Sequence, residues 1–247
     1  MSDTLYIAAK VPEAGLAKTR LGAAIGYEAA ATLYGAFLRD LAERFLDGPY
    51  ALNWYITPPD SWPRIAAILP PAGRCARVIA QGGGDWTERQ RALFRDAAAR
   101  GEDTVVLMAS DSPQLPVAAV TAAVDQLDRH DVVLGPTLDG GYYLLGMRGW
   151  HDVLDGVQMS TDSVLDRIVA RAHGLGLSVG RLASTFDIDT VDDLQHLWPL
   201  LDERTDLEAT RAAMLAIGLR SVASRVASVR HPFAHPAALL SPRAGDE

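Results

Sequence analysis

Three cations lie close together near the N-terminus, just after an apolar run over 5–9. They are Lys10, Lys18 and Arg20, and Thr19 adds a hydroxyl donor. An Arg makes bidentate contacts to phosphate, whereas a Lys supplies a mobile point charge. The segment predicts a loop that wraps the phosphates of a nucleotide, and the alternative is a solvated basic loop. The glycine spacing of a P-loop is absent.

Three aspartates follow two further strand-like runs. Asp111 comes after the apolar run 104–109, while Asp187 and Asp189 come at the end of the run 178–186. Residues two apart in an extended segment share a face. Magnesium usually takes one or two protein carboxylates together with substrate phosphates. The pattern predicts a site for Mg²⁺ (or Mn²⁺) at Asp111, with either Asp189 or Asp187 as its second ligand.

Helix capping is the local alternative for the same carboxylates. Asp111 or Ser112 would cap a helix that begins after Pro113, and Asp189 would cap one that opens at Thr190. A capping role and a metal role are compatible in neighbouring residues, so the metal prediction stands beside the capping one.

Two glycine-rich segments, 135–141 and 81–85, are candidates for contact with substrate. Paired glycines such as Gly140 and Gly141 permit a positive φ and allow a ligand to approach the backbone. Asp-Gly-Gly is equally typical of a simple hairpin turn. Ser160 and Thr161 precede a predicted helix, and the N–H groups at such a start can hold an anion.

Strand-like runs alternate with helical spacing along the chain, which predicts an α/β fold with a mostly parallel sheet covered on both faces. Ligands bind beyond the carboxyl ends of the strands in such sheets, where all these clusters lie. The predicted strands are 5–9, 51–56, 76–80, 104–109, 131–135, 141–147 and 178–186. The predicted helices are 27–47, 61–69, 87–100, 116–127, 161–173, 207–217 and one that opens at Thr190, whereas 10–21 is predicted to be a loop.

Bulk composition narrows the class of protein. The chain has 247 residues, of which 49% are apolar, so it can build a sizeable core. We predict one domain over 1–220 and a C-terminal tail over 221–247.

A net charge of −8 argues against non-specific nucleic-acid binding. The sequence has no apolar run of membrane-spanning length and no leader, and Cys75 is its single cysteine, so we expect a soluble cytoplasmic protein.

The span 4–200 resembles the cofC-like, glycosyltransferase-like "transferase 1" proteins that are called radical-SAM/selenodomain-associated. The resemblance is carried by Lys10-x-Pro12-x-x-Gly15-x-x-Lys18-Thr19-Arg20-Leu21, Ser110-Asp111-Ser112-Pro113, Gly135-Pro136-x-x-Asp139-Gly140-Gly141-Tyr142-Tyr143-Leu144-Leu145-Gly146, and Asp187-x-Asp189-Thr190-x-x-Asp193-Leu194. The first motif and Asp-x-Asp-Thr also resemble those of 2-phospho-lactate guanylyltransferase. One departure is Met159, which stands before Ser160-Thr161 where the family usually has Trp.

The resemblance implies the GT-A type nucleotide-diphospho-sugar transferase fold, a three-layer sandwich. It implies that Lys18 and Arg20 hold nucleotide phosphates and that Asp111 and Asp189 hold magnesium, and it places Gln81 against the base. The full set of substrate-binding candidates is Lys10, Thr19, Gln81, Gly83, Gly84, Ser112, Asp139, Gly140, Gly141, Ser160 and Thr161.

Nucleotidyl transfer is the leading hypothesis: an acceptor phosphate attacks the α-phosphorus of an NTP and pyrophosphate leaves. Lys18, Arg20 and Asp111 are the predicted catalytic residues, and the predicted partners are a nucleotide and a small-molecule acceptor. Glycosyl transfer from an NDP-sugar is the alternative, because the same carboxylates would hold a diphosphate leaving group. A nucleotide-binding regulatory module without turnover is the third reading.

Overall fold

A computed structural model describes residues 3–71, 77–159 and 162–219 of the chain. Seven strands and eight helices lie within these ranges. The strands are β1 (Thr4–Lys10), β2 (Ala51–Thr57), β3 (Arg77–Ala80), β4 (Thr104–Ala109), β5 (Val132–Pro136), β6 (Tyr142–Arg148) and β7 (Val179–Arg181). The helices are α1 (Thr19–Ile25), α2 (Tyr27–Phe45), α3 (Trp62–Ile68), α4 (Trp86–Ala99), α5 (Val117–Leu127), α6 (Val164–Gly174), α7 (Val191–Glu203) and α8 (Glu208–Ala216).

The strands form one mixed sheet in the order β3-β2-β1-β4-β6-β5-β7. Every pairing is parallel except those of β6, which runs antiparallel to both β4 and β5. The predicted mostly parallel sheet is therefore confirmed. Because β6 runs in the opposite direction, its first residue, Tyr142, lies at the edge where the other central strands end.

Alternate residues of β1 face two separate hydrophobic clusters, which shows that helices cover both faces of the sheet. Leu5 and Ile7 belong to the cluster that contains α2, α5, α7 and α8. Tyr6 and Ala8 belong to the cluster that contains α4 and α6. This is the alternation expected of a strand buried on both sides, and it confirms the three-layer arrangement.

Three element predictions were wrong in part. The segment 10–21 is not all loop, because α1 begins at Thr19. The last strand is Val179–Arg181 rather than 178–186, and beyond it only Thr185 makes an isolated bridge, to Thr137. Helix α6 begins at Val164, later than predicted. The predicted tail 221–247 lies outside the described residues, and the single domain over 1–220 stays a prediction.

No helix in the described part of the chain is both long and apolar enough to cross a membrane.

Candidate active site

A cleft of about 530 Å³ opens at the carboxyl ends of the central strands. It brings together residues from segments that are distant in the sequence, as the strand-end argument predicts. The predicted residues that line it are Lys10, Lys18, Thr19, Arg20, Gln81, Asp111, Ser112, Asp187 and Asp189.

The ammonium group of Lys18 lies between two of the predicted carboxylates. Its Nζ is 3.0 Å from Oδ1 of Asp189 and also forms an ion pair with Oδ1 of Asp111. The Lys18 side chain is 4% exposed, whereas the two carboxylates are about 40% exposed. Burial alone would lower the pKa of Lys18, but Asp111 and Asp189 outweigh burial and raise that pKa. Lys18 is therefore a fixed cation at the floor of the cleft.

Lys18 takes up this position through an unusual backbone conformation. It has φ 48° and ψ 47°, in the left-handed region, and immediately precedes α1. Within the described ranges it is the only residue other than glycine with a positive φ. Such a conformation costs a non-glycine residue about 1 to 2 kcal/mol. Contacts of the side chain with both carboxylates offset that strain.

The capping alternatives for the carboxylates are wrong. Helix α5 begins at Val117, its N-cap is Pro116, and no side chain caps it, so Asp111 does not serve this helix. Helix α7 is capped by Thr190 together with Asp193. The Asp193 carboxylate accepts the backbone N–H groups of Asp189 and Thr190, which leaves the Asp189 side chain to face Lys18.

Backbone contacts hold the two aspartate segments side by side. The N–H of Ile188 donates to the carbonyl of Asp111 at 2.9 Å. The hydroxyl of Ser112 donates to the carbonyl of Phe186 at 3.0 Å. Ser112 thus uses its side chain to position the segment that carries Asp187 and Asp189.

Negative charge is concentrated at the edge of this cleft. Burial, followed by the neighbouring carboxylates of Asp189 and Asp139, raises the pKa of Asp187 to about 6. Asp111 and Asp189 both contact Nζ of Lys18 through Oδ1, so their carboxylates lie close together with the ammonium group between those two oxygens. Two neighbouring carboxylates are the protein ligands that Mg²⁺ commonly takes together with substrate phosphates, and they would bind it through oxygens that Lys18 does not contact. No cage of three or more acidic, His or Cys side chains occurs in the described ranges.

The segment 137–141 forms a tight turn between β5 and β6. The Asp139 carboxylate accepts the Thr137 hydroxyl at 2.5 Å and the Gly141 N–H at 3.1 Å. Gly140 has φ 88°, and a Cβ there would lie 2.0 Å from the carbonyl oxygen of Asp162. The hairpin interpretation of this segment is therefore confirmed, and Gly140 is required by packing.

The amide of Gln81 is engaged with the protein itself. Its Nε2 donates to the Tyr55 carbonyl at 2.9 Å, and its Oε1 accepts from Nη1 of Arg89 at 3.4 Å. The Nε of Arg89 donates in turn to the Gly84 carbonyl at 3.0 Å. Gln81 therefore orients Arg89, a cleft cation that sequence reasoning missed. Neither Gly83 nor Gly84 is among the residues that line the cleft.

A second cleft of about 350 Å³ adjoins the first. The two clefts share the residues Arg20, Trp86, Thr137, Tyr142, Asp187 and Asp189. The second cleft adds Asp139, Gly141, Met159, Asp162 and Val164. Asp139 and Gly141 thus belong to the second cleft, whereas the candidates Ser160 and Thr161 lie outside the described residues.

Tyr34 is a further cleft residue that sequence reasoning missed. Its hydroxyl pairs with the Ser110 hydroxyl at 2.7 Å and accepts the Lys10 N–H at 3.0 Å. It thus joins α2 to the ends of β1 and β4. Burial, and then the charge of Asp111, raises its pKa to about 12. The only signal in the sequence was its place in the apolar spacing of α2, which indicates a core residue.

Known proteins resemble this chain at the level of both sequence and fold. A crystal structure of a provisionally assigned nucleotide-diphospho-sugar transferase from Desulfovibrio desulfuricans G20 is 32% identical, with a TM-score of 0.79, over 88% of this chain and 97% of that one. A cytidylyltransferase from Leptospira borgpetersenii is 13% identical, with a TM-score of 0.52, over 95% of this chain and all of that one.

A third solved structure is CMP:2-keto-3-deoxy-manno-octonic acid synthetase complexed with CTP. It is 12% identical, with a TM-score of 0.52, over 82% of this chain and 99% of that one. These likenesses confirm the nucleotide-diphospho-sugar transferase fold. No curated protein matches the chain.

The family described as "Uncharacterized protein conserved in bacteria (DUF2064)" matches residues 51–161. This match contains β4, the adjoining Asp111, the turn at 137–141 and six of the eleven residues that line the second cleft. With the 32% identity to the Desulfovibrio protein over nearly its whole length, it shows that the chain belongs to the DUF2064 family.

Proposed function

We propose that the chain is a Mg²⁺-dependent nucleotidyltransferase. It would convert an NTP and a phosphorylated small-molecule acceptor into a nucleotide-linked product and pyrophosphate. The observation that carries the proposal is the placement of Lys18, a buried cation between Asp111 and Asp189 at the floor of a cleft with further cations around it. Such an arrangement suits a ligand that carries several phosphates and a metal ion.

Charge neutralisation and positioning are what these residues supply, and they are the main requirements of phosphoryl-type transfer. Lys18 offsets the charge of the two carboxylates and donates toward the phosphates. Arg20 is 75% exposed, and Lys10 is exposed at the same cleft, so both have room to close on the leaving pyrophosphate. Asp111 and Asp189 would hold Mg²⁺, which supplies further neutralisation of phosphate charge. An acceptor phosphate is already anionic, so no general base is required.

The named functions of two proteins with this fold support the proposal as analogy. One is a cytidylyltransferase, and the other is a synthetase complexed with CTP. Both share the fold with this chain at low identity, and a fold alone hosts several reactions. The site residues therefore carry the argument.

Glycosyl transfer is the second candidate function. It is favoured by the Desulfovibrio protein, whose assignment is nucleotide-diphospho-sugar transferase and which is 32% identical to this chain. In that reaction the cleft would hold an NDP leaving group. The cationic segment at Lys10, Lys18 and Arg20 favours a triphosphate instead.

Product analysis distinguishes the two functions. Thermal shifts against NTPs and NDP-sugars, with and without Mg²⁺, first identify the nucleotide, because a ligand that binds the folded state raises the Tm. Turnover with an acceptor panel is then followed as release of pyrophosphate or of NDP. We expect pyrophosphate release, which Asp111→Asn and Lys18→Met lower by about 100-fold.

The matched control is Arg39→Met, an exposed cation of α2 outside both clefts. Release of NDP would transfer the assignment to glycosyl transfer. Nucleotide binding without turnover of any acceptor would indicate a regulatory module. A Tm that no nucleotide changes would overturn the proposal.

A further inference from the structure

The second cleft is rich in negative charge. Of the eleven described residues that line it, four are Asp and one, Arg20, is a cation. Two of the carboxylates, Asp187 and Asp189, are shared with the first cleft, where Lys18 offsets part of their charge. The other two, Asp139 and Asp162, belong to the second cleft alone. Among the described residues that line the second cleft, carboxylates therefore outnumber cations by four to one.

The guanidinium group of Arg20 already pairs with a carboxylate that borders both clefts. Its Nη1 lies 3.5 Å from Oδ2 of Asp189. Asp139 is held in place by the Thr137 hydroxyl and the Gly141 N–H, both uncharged donors. These contacts orient the Asp139 carboxylate without neutralising it. A second anionic group on an acceptor would be repelled here, whereas a cationic group would be attracted.

Aromatic and sulfur-containing side chains complete the lining. Trp86 and Tyr142 border both clefts, and Met159 borders the second one. The Tyr142 hydroxyl donates to Oε1 of the buried Gln90 at 2.8 Å and lies 3.7 Å from the sulfur of Met159. The phenol is thus fixed by its oxygen at the border of the two clefts. Aromatic faces beside carboxylates are the usual recognition elements for primary and quaternary ammonium groups.

We propose that the second cleft binds an ammonium group of the acceptor, so that the acceptor is a phosphorylated amino alcohol. Its phosphate would lie at the border of the two clefts, facing the nucleotide in the first cleft, and its ammonium group would lie among Asp139, Asp162 and the aromatic rings. A cleft of about 350 Å³ accommodates a molecule of this size. The proposal rests on the proposed nucleotidyltransferase function and adds the chemical class of the acceptor.

The test compares acceptors that differ at one end only. Phosphocholine and phosphoethanolamine carry the ammonium group, glycerol 3-phosphate replaces it with hydroxyls, and phosphoglycolate replaces it with a carboxylate. Pyrophosphate release by the full chain is measured with each acceptor, using the NTP and Mg²⁺ conditions that stabilise the protein. We expect kcat/KM for an ammonium acceptor to exceed that for both others by about tenfold or more, since 1.4 kcal/mol of ion and ring contact is a factor of ten.

A second test removes one negative charge from the second cleft. Asp162→Asn should lower the preference for an ammonium acceptor over glycerol 3-phosphate by about fivefold, because one attractive charge is lost. The matched control is Asp125→Asn, an exposed residue of α5 outside both clefts, and it should leave the preference unchanged.

The proposed acceptor class is wrong if glycerol 3-phosphate or phosphoglycolate is turned over as well as, or better than, the ammonium acceptors. It is also wrong if Asp162→Asn leaves the preference for an ammonium acceptor unchanged. Binding of a nucleotide with turnover of none of these acceptors also overturns it, while the nucleotide part of the proposed function stands. If no nucleotide stabilises the protein, the proposed nucleotidyltransferase function and the proposed acceptor class are both wrong.

Discussion

Nζ of Lys18 lies 3.0 Å from Oδ1 of Asp189, although 171 positions separate the two residues in the chain. Lys18 precedes the first helix, and Asp189 directly precedes the N-cap of α7. This contact therefore joins the first and the last of the chain segments that line the cleft. Removing it should affect both stability and ligand binding.

A comparison of Lys18→Gly with Lys18→Ala distinguishes the contribution of the Lys18 side chain from that of its backbone conformation. Both variants lose the contacts to Asp111 and Asp189, so both should lose nucleotide-dependent stabilisation. Glycine adopts φ 48° without strain, so Lys18→Gly should be more stable than Lys18→Ala by about 1 kcal/mol. Urea denaturation of the two proteins measures the difference. Equal stability would mean that the left-handed conformation is absent in solution.

Tyr34→Phe tests whether one hydroxyl positions the strand ends. The variant leaves the buried Ser110 hydroxyl and the Lys10 N–H without this partner, at a cost of about 1 to 2 kcal/mol. We expect kcat to fall while the KM for nucleotide changes little, because Tyr34 orients the site through its neighbours. Tyr27→Phe, at a half-exposed tyrosine of the same helix, is the control. A Tm and a kcat that match the control would refute the positioning role.

Gly140→Ala should destabilise the protein by about 2 kcal/mol or more, because the new Cβ meets the Asp162 carbonyl at a positive φ. Gly83→Ala is the informative comparison, since no atom lies within 4 Å of its added Cβ. That variant should keep the stability of the parent protein. If Gly83→Ala nevertheless weakens nucleotide binding, the predicted contact of the segment 81–85 with substrate gains support. Thermal unfolding with and without nucleotide measures both effects.

Asp131 should contribute stability that depends on pH. Its carboxylate accepts the Ser178 hydroxyl at 2.7 Å and the Ser178 N–H at 2.9 Å, which lowers its pKa from 3.8 to about 2. Because the folded pKa is depressed, the stabilisation is present above about pH 4 and is lost as the pH falls toward 2. Asp131→Asn should therefore cost about 1 to 2 kcal/mol at pH 7 and much less near pH 2. Denaturant unfolding at both pH values, with the exposed Asp128→Asn as control, checks this; a constant difference would contradict it.

The sequence predicted the cleft well because its main contributors follow strands. Apolar runs identify strands, and parallel strands bring their carboxyl ends to one edge, so Lys18, Asp111 and Asp189 could be placed together without a structure. The direction of β6 was not predictable in this way. Its apolar pattern is the same whether it runs parallel or antiparallel, and only the short turn at 137–141 indicated a hairpin.

Residues that enter the cleft from helices escaped sequence reasoning. Tyr34, Trp86 and Arg89 lie on α2 or α4, where helical spacing indicates a core or a solvent-exposed side chain and carries no information about a ligand. Gln81 was predicted to face the base, but its amide is engaged with Tyr55 and Arg89. Such assignments depend on contacts across the fold, which one sequence does not encode in a readable local pattern.

Because β6 runs antiparallel to β5, the turn that joins them lies at the same edge of the sheet as the segment before α1. The turn between β5 and β6 contributes Thr137, Asp139 and Gly141 to the second cleft, while the segment before α1 contributes Lys18 to the first. These two contributions come from separate stretches of chain with separate backbone support. Replacement of this five-residue turn would therefore change the part of the second cleft that Asp139 and Gly141 form, while Lys18 and the two carboxylates that contact it would keep their own segments.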